Sequence, residues 1–160
     1  MSSVLKVDAI QNTAGTSALT IDSGGRILKP TTPHFHVTKT DGHVGANATI
    51  VWNNKVRDTE TAYNTSTGQY TIPSGLTGLW WFGICGMSYN TGYIELSIQV
   101  NSTITFSARN ESANNAKSCA IMTVGYYATA GDVLSIHTQG SSSMYGTGSP
   151  YAYWTGYFIG

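Results

Sequence analysis

From residue 33 onward, apolar and polar side chains alternate with a period of two. The clearest case is 94–100, where Ile94, Leu96, Ile98 and Val100 share one side and Glu95, Ser97 and Gln99 the other. That period belongs to a strand with one face in a core and the other wet or paired. After a turn at Asn101-Ser102 the alternation resumes through Ile104, Thr105, Phe106 and Ser107. Further strands are predicted at 34–38, 49–52, 68–72, 79–85, 120–127, 133–138 and 151–159, separated by Gly, Asn, Ser and Pro clusters that make turns. Longer windows lack an i, i+3, i+4 apolar stripe free of Gly or β-branched interruption, so helices are not expected. Short strands at this spacing predict an all-β sandwich or jelly roll.

Residues 1–32 have a different texture. Val4–Ile10 and Ala18–Ile21 predict short strands, split by Asn12-Thr13-Ala14-Gly15; Gly24-Gly25 then turns the chain into Arg26-Ile27-Leu28. Three such strands offer too little apolar surface to fold alone. The expectation is a β arm over 1–32 preceding a domain over 33–160, with Leu5, Val7, Ile10, Leu19 and Ile21 as the residues that dock it. The alternative is a first sheet of the same domain.

Composition narrows the function. Charged residues are 10% of the chain, against about 25% in an average soluble domain, and the eight basic and eight acidic side chains cancel. Phosphate neutralisation needs clustered Lys and Arg, so no nucleic-acid partner is expected. A basic face for anionic membranes is missing too, and no apolar stretch reaches the roughly 18 residues of a membrane span. Met1–Ile10 has no long apolar region of the kind a signal peptide carries. Sequons at Asn47, Asn64, Asn101 and Asn110 therefore read as products of an Asn/Ser/Thr-rich chain. Cys85 and Cys119 show no zinc-ligand spacing; buried free thiols are the leading reading and an inter-strand disulfide the alternative.

Several segments of 33–160 resemble the C1q/tumour necrosis factor-like jelly-roll family, in its order. Pro33-His34-Phe35 is similar to the opening strand. Tyr63 through Thr67-Gly68-Gln69-Tyr70-Thr71-Ile72-Pro73 resembles the central aromatic, Thr-Gly-x-Phe-x-x-Pro motif. Gly78-Leu79-Trp80-Trp81-Phe82 stands where the family has Gly-x-Tyr-x-Phe, Gly131-Asp132-Val133 resembles a late turn, and Tyr153–Ile159 resembles the closing strand. Ser74–Thr77 lengthens one connection, and Trp replaces Tyr at 80 and 81. The resemblance implies a ten-stranded, two-sheet jelly roll that assembles as a homotrimer. Cell-surface signalling is not carried over. The segment Leu5–Asn12 followed by Leu19-Thr20-Ile21-Asp22 resembles the start of structural and tail-fibre proteins of tailed bacteriophages, where such segments precede an exposed domain.

Candidate chemistry is sparse. Asp58 and Glu60 share a face if extended, but between Arg57 and Thr61 they read as a solvated loop or ion pair. No Gly-x-Ser-x-Gly elbow, His-Glu-x-x-His helix or P-loop occurs, so no catalytic residues and no cofactor are expected. His34 and His36 would project to one face of a strand with Phe35 on the other. Three copies would supply six nitrogens, but plain solvent or interface histidines are the leading reading and no metal is expected. His43 and His137 are isolated. Met144 and Tyr145, in a Ser/Gly-rich stretch, are the surface-binding candidates, because Tyr on a loop rim suits sugar stacking or protein docking. The resulting expectation is a trimeric virion appendage: a short fibre, spike tip or capsid decoration. Its arm would bind other virion proteins, and its jelly roll would face a host-surface glycan or protein. A secreted C1q-like ligand or lectin is the alternative, and a carbohydrate-active enzyme a more distant one.

Overall fold

The computed structural model describes residues 7–28, 32–111, 118–146 and 151–160. The chain divides into two compact units, 1–32 and 33–160. Among the described residues all regular structure is strand.

The first unit is a three-stranded antiparallel sheet of β1 (Ala9–Gln11), β2 (Ser17–Ile21) and β3 (Ile27–Leu28), in the order β1-β2-β3. Its turns are built by side chains. Asn12 Oδ1 accepts the N–H of Ala14 and Thr16, and Asp22 Oδ1 accepts those of Gly24 and Arg26. The Arg26 guanidinium pairs with Asp22 at 2.7 Å. The backbone N–H of Arg26, then its side chain, holds the Asp22 carboxyl below the usual range. Ile10, Ile21, Ile27 and Leu28 all remain exposed within a sheet too small to make a core.

The described residues of the second unit form ten strands in two five-stranded antiparallel sheets. They are β4 (His34–Thr38), β5 (Asn54–Asp58), β6 (Tyr63–Asn64), β7 (Gln69–Thr71), β8 (Gly78–Met87), β9 (Tyr93–Val100), β10 (Thr103–Glu111), β11 (Cys119–Ala128), β12 (Val133–Gly140) and β13 (Ala152–Phe158). One sheet runs β10-β9-β12-β7-β6 and the other β11-β8-β13-β4-β5. Consecutive strands repeatedly change sheet, and β13 inserts between β8 and β4, giving the jelly-roll topology.

The core lies between the sheets and is filled by the alternate residues predicted for it. Ile94, Leu96, Ile98 and Val100 point inward from β9, while Trp80, Phe82 and Ile84 do so from β8. Phe35 stacks on Tyr70 at 4.1 Å and meets Trp154 edge-on at 4.8 Å. Aromatic pairs in these geometries add about 0.5–1.5 kcal/mol beyond burial. Tyr63 ties down a loop: its hydroxyl accepts the Trp52 N–H at 2.9 Å and donates to the Trp52 carbonyl at 3.1 Å.

Two segments depart from the expected elements. Residues 49–52 are no strand; only a single bridge joins Thr49 to His137, although Ile50 and Trp52 are fully buried. Their apolar spacing records burial rather than a ladder. Conversely, Asn54–Asp58 forms the edge strand β5 although its side chains are mostly polar and mostly exposed. Charged edges of this kind discourage pairing with foreign strands.

Candidate functional site

The sheet β11-β8-β13-β4-β5 turns its second face away from the core, and strand register fixes what that face displays. Leu79 on β8 lies beside Tyr127 on β11, with Ile159 bonded to Leu79 on the other side. The next row holds Gly125, Trp81, Tyr157 and His34. Below it come Thr123, Gly83, Thr155 and His36, then Ile121, Cys85, Tyr153 and Thr38. The Trp81 and Tyr157 rings are 5.1 Å apart. A Cβ on Gly83 would sit 2.7 Å from the Trp81 indole, so the ring lies across the glycine and flattens the surface. Tyr127 is 66% exposed, Ile121 61% and Tyr157 42%.

The outward face of the other sheet is mainly polar. Glu95 and Ser97 of β9 stand opposite Arg109 and Ser107 of β10, Gln99 stands opposite the exposed Ile104, and Tyr93 opposite Glu111; on the other side Glu95, Ser97 and Gln99 meet Gln139, His137 and Ser135 of β12. Ser97 and Ser107 share a 2.8 Å hydrogen bond, Arg109 pairs with Glu111, and the guanidinium caps the Tyr93 ring at 3.7 Å. The two outer faces therefore differ in kind: one aromatic and apolar, the other hydroxylic and charged.

His34 and His36 project onto the apolar face, opposite Tyr157 and Thr155, while Phe35 enters the core. Burial holds the His36 imidazole below its ordinary value. Among the described residues, no three His, Cys, Asp or Glu side chains gather at metal-binding spacing. The Cys85 and Cys119 sulfurs lie 3.1 Å apart on neighbouring strands, as free thiols. Burial, then the contact with Cys119, pushes Cys85 up to about 12.

Of the two expected settings, a solvated loop or an ion pair, Asp58 takes the ion pair. Its side chain is 1% exposed, accepts the N–H groups of Ala62 and Tyr63, and pairs with Lys55 at 3.3 Å. This carboxylate closes the turn after β5. Glu60 instead borders an open hollow of about 550 Å³ with Thr71, Pro73 and Ala130, and is the one titratable residue in its lining.

Of the two loop candidates, Met144 is misplaced by the sequence reading: it is completely buried. Backbone bridges to Val44 and Ser88 pull the segment inward and pack its sulfur over Gly86. Flanking Ser and Gly concealed this anchor. Tyr145 is half-buried and touches His43, Tyr89 and Tyr151. His43 is thus not isolated. In the first unit, Ile10 and Ile21 are exposed and Val7 and Leu19 half-buried, while Leu5 lies outside the described residues. Leu79, Trp81, Ile121 and Tyr127 of the apolar face were not singled out as site residues from sequence. For Leu79 and Trp81 the signal is the apolar run at 79–85, which marks a strand apolar on both faces.

No protein-family model matches the chain, and no curated protein matches it in sequence. Among solved structures, the globular domain of zebrafish complement 1qA superposes with a TM-score of 0.65 at 18% identity, covering 81% of this chain and 98% of its own. An Eiger TNF from S. frugiperda gives a TM-score of 0.68 at 9% identity, over 81% and 93%. Murine APRIL gives 0.67 at 8% identity, over 81% and 100%. The jelly roll of this chain has the C1q/TNF-like fold.

Proposed function

We propose that this chain is a non-enzymatic, homotrimeric display module of a bacteriophage particle, whose jelly roll is presented outward and whose β arm docks on other virion proteins. The observation that carries the trimer is the contrast between outer faces. An aromatic sheet face rich in exposed Tyr, Leu and Ile gains by burial, at roughly 25 cal/mol per Å² of apolar surface, while the other face, with its Arg109–Glu111 ion pair, has less apolar surface to hide. Three copies meeting through β11-β8-β13-β4-β5 would hide the first and display the second.

The particle assignment rests on the arm. Its sequence resembles the leading segments of phage structural proteins, and its small sheet leaves Ile10, Ile21, Ile27 and Leu28 in solvent, as a segment awaiting a partner would. Assembly would take place in the host cytoplasm. Imaging purified particles with a label on this chain tests the assignment. Deleting residues 2–30 is expected to leave jelly-roll trimers that no longer join the particle; normal incorporation of the truncated chain contradicts the docking role.

The likeness to complement and TNF structures favours a second reading, a secreted ligand or lectin. Finding the chain free in the medium and missing from purified particles would select it.

A further inference from the structure

Four aromatic rings from four separate segments meet at one end of the jelly roll. His43 comes from the β4–β5 connection, Tyr89 from the β8–β9 turn, Tyr145 from the segment after β12, and Tyr151 from the residue before β13. His43 stacks on Tyr89 at 3.6 Å and 22°. Tyr145 sits centrally, 5.2 Å from His43, 5.8 Å from Tyr89 and 6.2 Å, edge-on, from Tyr151. Tyr89 is 42% exposed and Tyr151 48%.

The backbone beneath is locked. Tyr145 N–H donates to Met87 and Tyr89 N–H to Ser143, each at 2.7 Å, while Val44 and Met144 exchange both of their bonds. Ser142 Oγ donates to the Asn90 carbonyl, and Gly146 N–H reaches His43 Nδ1 at 3.3 Å. With the buried Met144 as their pin, the segments that carry His43, Tyr89 and Tyr145 are held together, and a ligand need not order them on binding.

From this geometry we infer that the His43–Tyr89–Tyr145–Tyr151 platform is a saccharide-binding site that stacks the C–H faces of pyranose rings of a neutral glycan. Three observations select that ligand. The platform is four residues wide, far below the roughly 800 Å² per partner that a stable protein interface needs. Among the described residues, the charged side chains nearest His43 along the chain, Lys39 and Asp41, pair with one another, so this lysine is already engaged by a carboxylate. The exposed rings of His43, Tyr89 and Tyr151 carry phenol and imidazole edges, with Asn90 and Ser141 exposed beside them, which matches a ligand whose ring faces are apolar and whose rim is hydroxylated.

This inference deepens the proposed display role by naming what the displayed end takes. Its test uses the purified full-length protein, not particles, so a blank result overturns the glycan site and leaves the incorporation experiment untouched. The protein is applied to an array of glucan, mannan, galactan and N-acetylglucosamine oligomers, with heparin and polysialic acid alongside. Binding to at least one neutral class is expected. Tyr89→Ala and Tyr151→Ala should each weaken it about tenfold, roughly one stacking contact. Tyr151→Phe, which keeps the ring, should stay within about twofold of the parent. Unchanged mass and circular dichroism of the variants confirm their folding. Binding to no neutral glycan, binding confined to heparin or polysialic acid, or alanine variants that bind like the parent would each overturn the site.

Discussion

Two buried tyrosines show how differently one hydroxyl can act. The Tyr63 hydroxyl satisfies both the N–H and the carbonyl of Trp52, whereas the Tyr70 hydroxyl has no partner among the described residues. Burial raises both phenols well above their ordinary value. A hydrogen bond contributes about 1 kcal/mol net, and a buried polar group left unpaired costs about 1–3 kcal/mol. Tyr63→Phe should therefore lower stability by about 1–2 kcal/mol, and Tyr70→Phe should leave it unchanged or raise it by about 1 kcal/mol. Urea unfolding of both variants checks the sign, and a large loss from Tyr70→Phe would contradict the assignment. At this scale, the sequence displayed the aromatic identities but not their partners. Met144 is the sharpest case: its Ser and Gly neighbours describe a loop, while the bridges that bury it come from residues far away in the chain.

Among the elements, β9 was legible because one of its faces is apolar and the other polar, so period two is visible. Strand β8 was legible only as an apolar run, since Trp81 and Leu79 face outward while Trp80 and Phe82 fill the core. Strand β5 could not be read, because Lys55-Val56-Arg57-Asp58 owes its extension to backbone pairing with β4. The turn joining β6 to β7 illustrates a motif with a physical cause. Gly68 has φ +75°, and a Cβ there would lie 2.3 Å from the Ile50 carbonyl oxygen. Left-handed backbone and a backbone clash together predict that Gly68→Ala costs more than about 1–2 kcal/mol, readable as a fall in melting temperature; a neutral Gly68→Ala would refute this account of the turn.

Strand β4 carries a pH dependence. His36 is held below 6.5 by burial, and its ladder partner is Arg57, another cation; His34 and Tyr153 share its face. A histidine depressed in the folded state binds its proton later than in the unfolded chain. Its contribution is therefore fully present above pH 6.5 and is lost as pH falls through that value toward the folded one. Melting temperature should drop between pH 7.5 and pH 5, and His36→Gln should shrink that drop. An equal drop in the variant would contradict the assignment.

At the scale of the molecule, the account turns on which surface is hidden. The all-β class, the two-sheet sandwich and the order of its motifs could be read from alternation and resemblance. Which outer face is the apolar one could not, because it depends on register across β11, β8, β13 and β4. Only the folded sheet brings Tyr127, Leu79, Trp81 and Tyr157 onto one surface. Burying a large aromatic side chain is worth about 1.5–3 kcal/mol, so a charge placed centrally in this face, repeated in every copy, should break the assembly without disturbing the core. Sedimentation equilibrium of the full chain, beside its Trp81→Asp variant, measures this directly. A parent species of three times 17.1 kDa and a variant that sediments as a folded monomer are expected. A parent that is monomeric at micromolar concentration, or a Trp81→Asp variant that remains trimeric, would contradict this assembly.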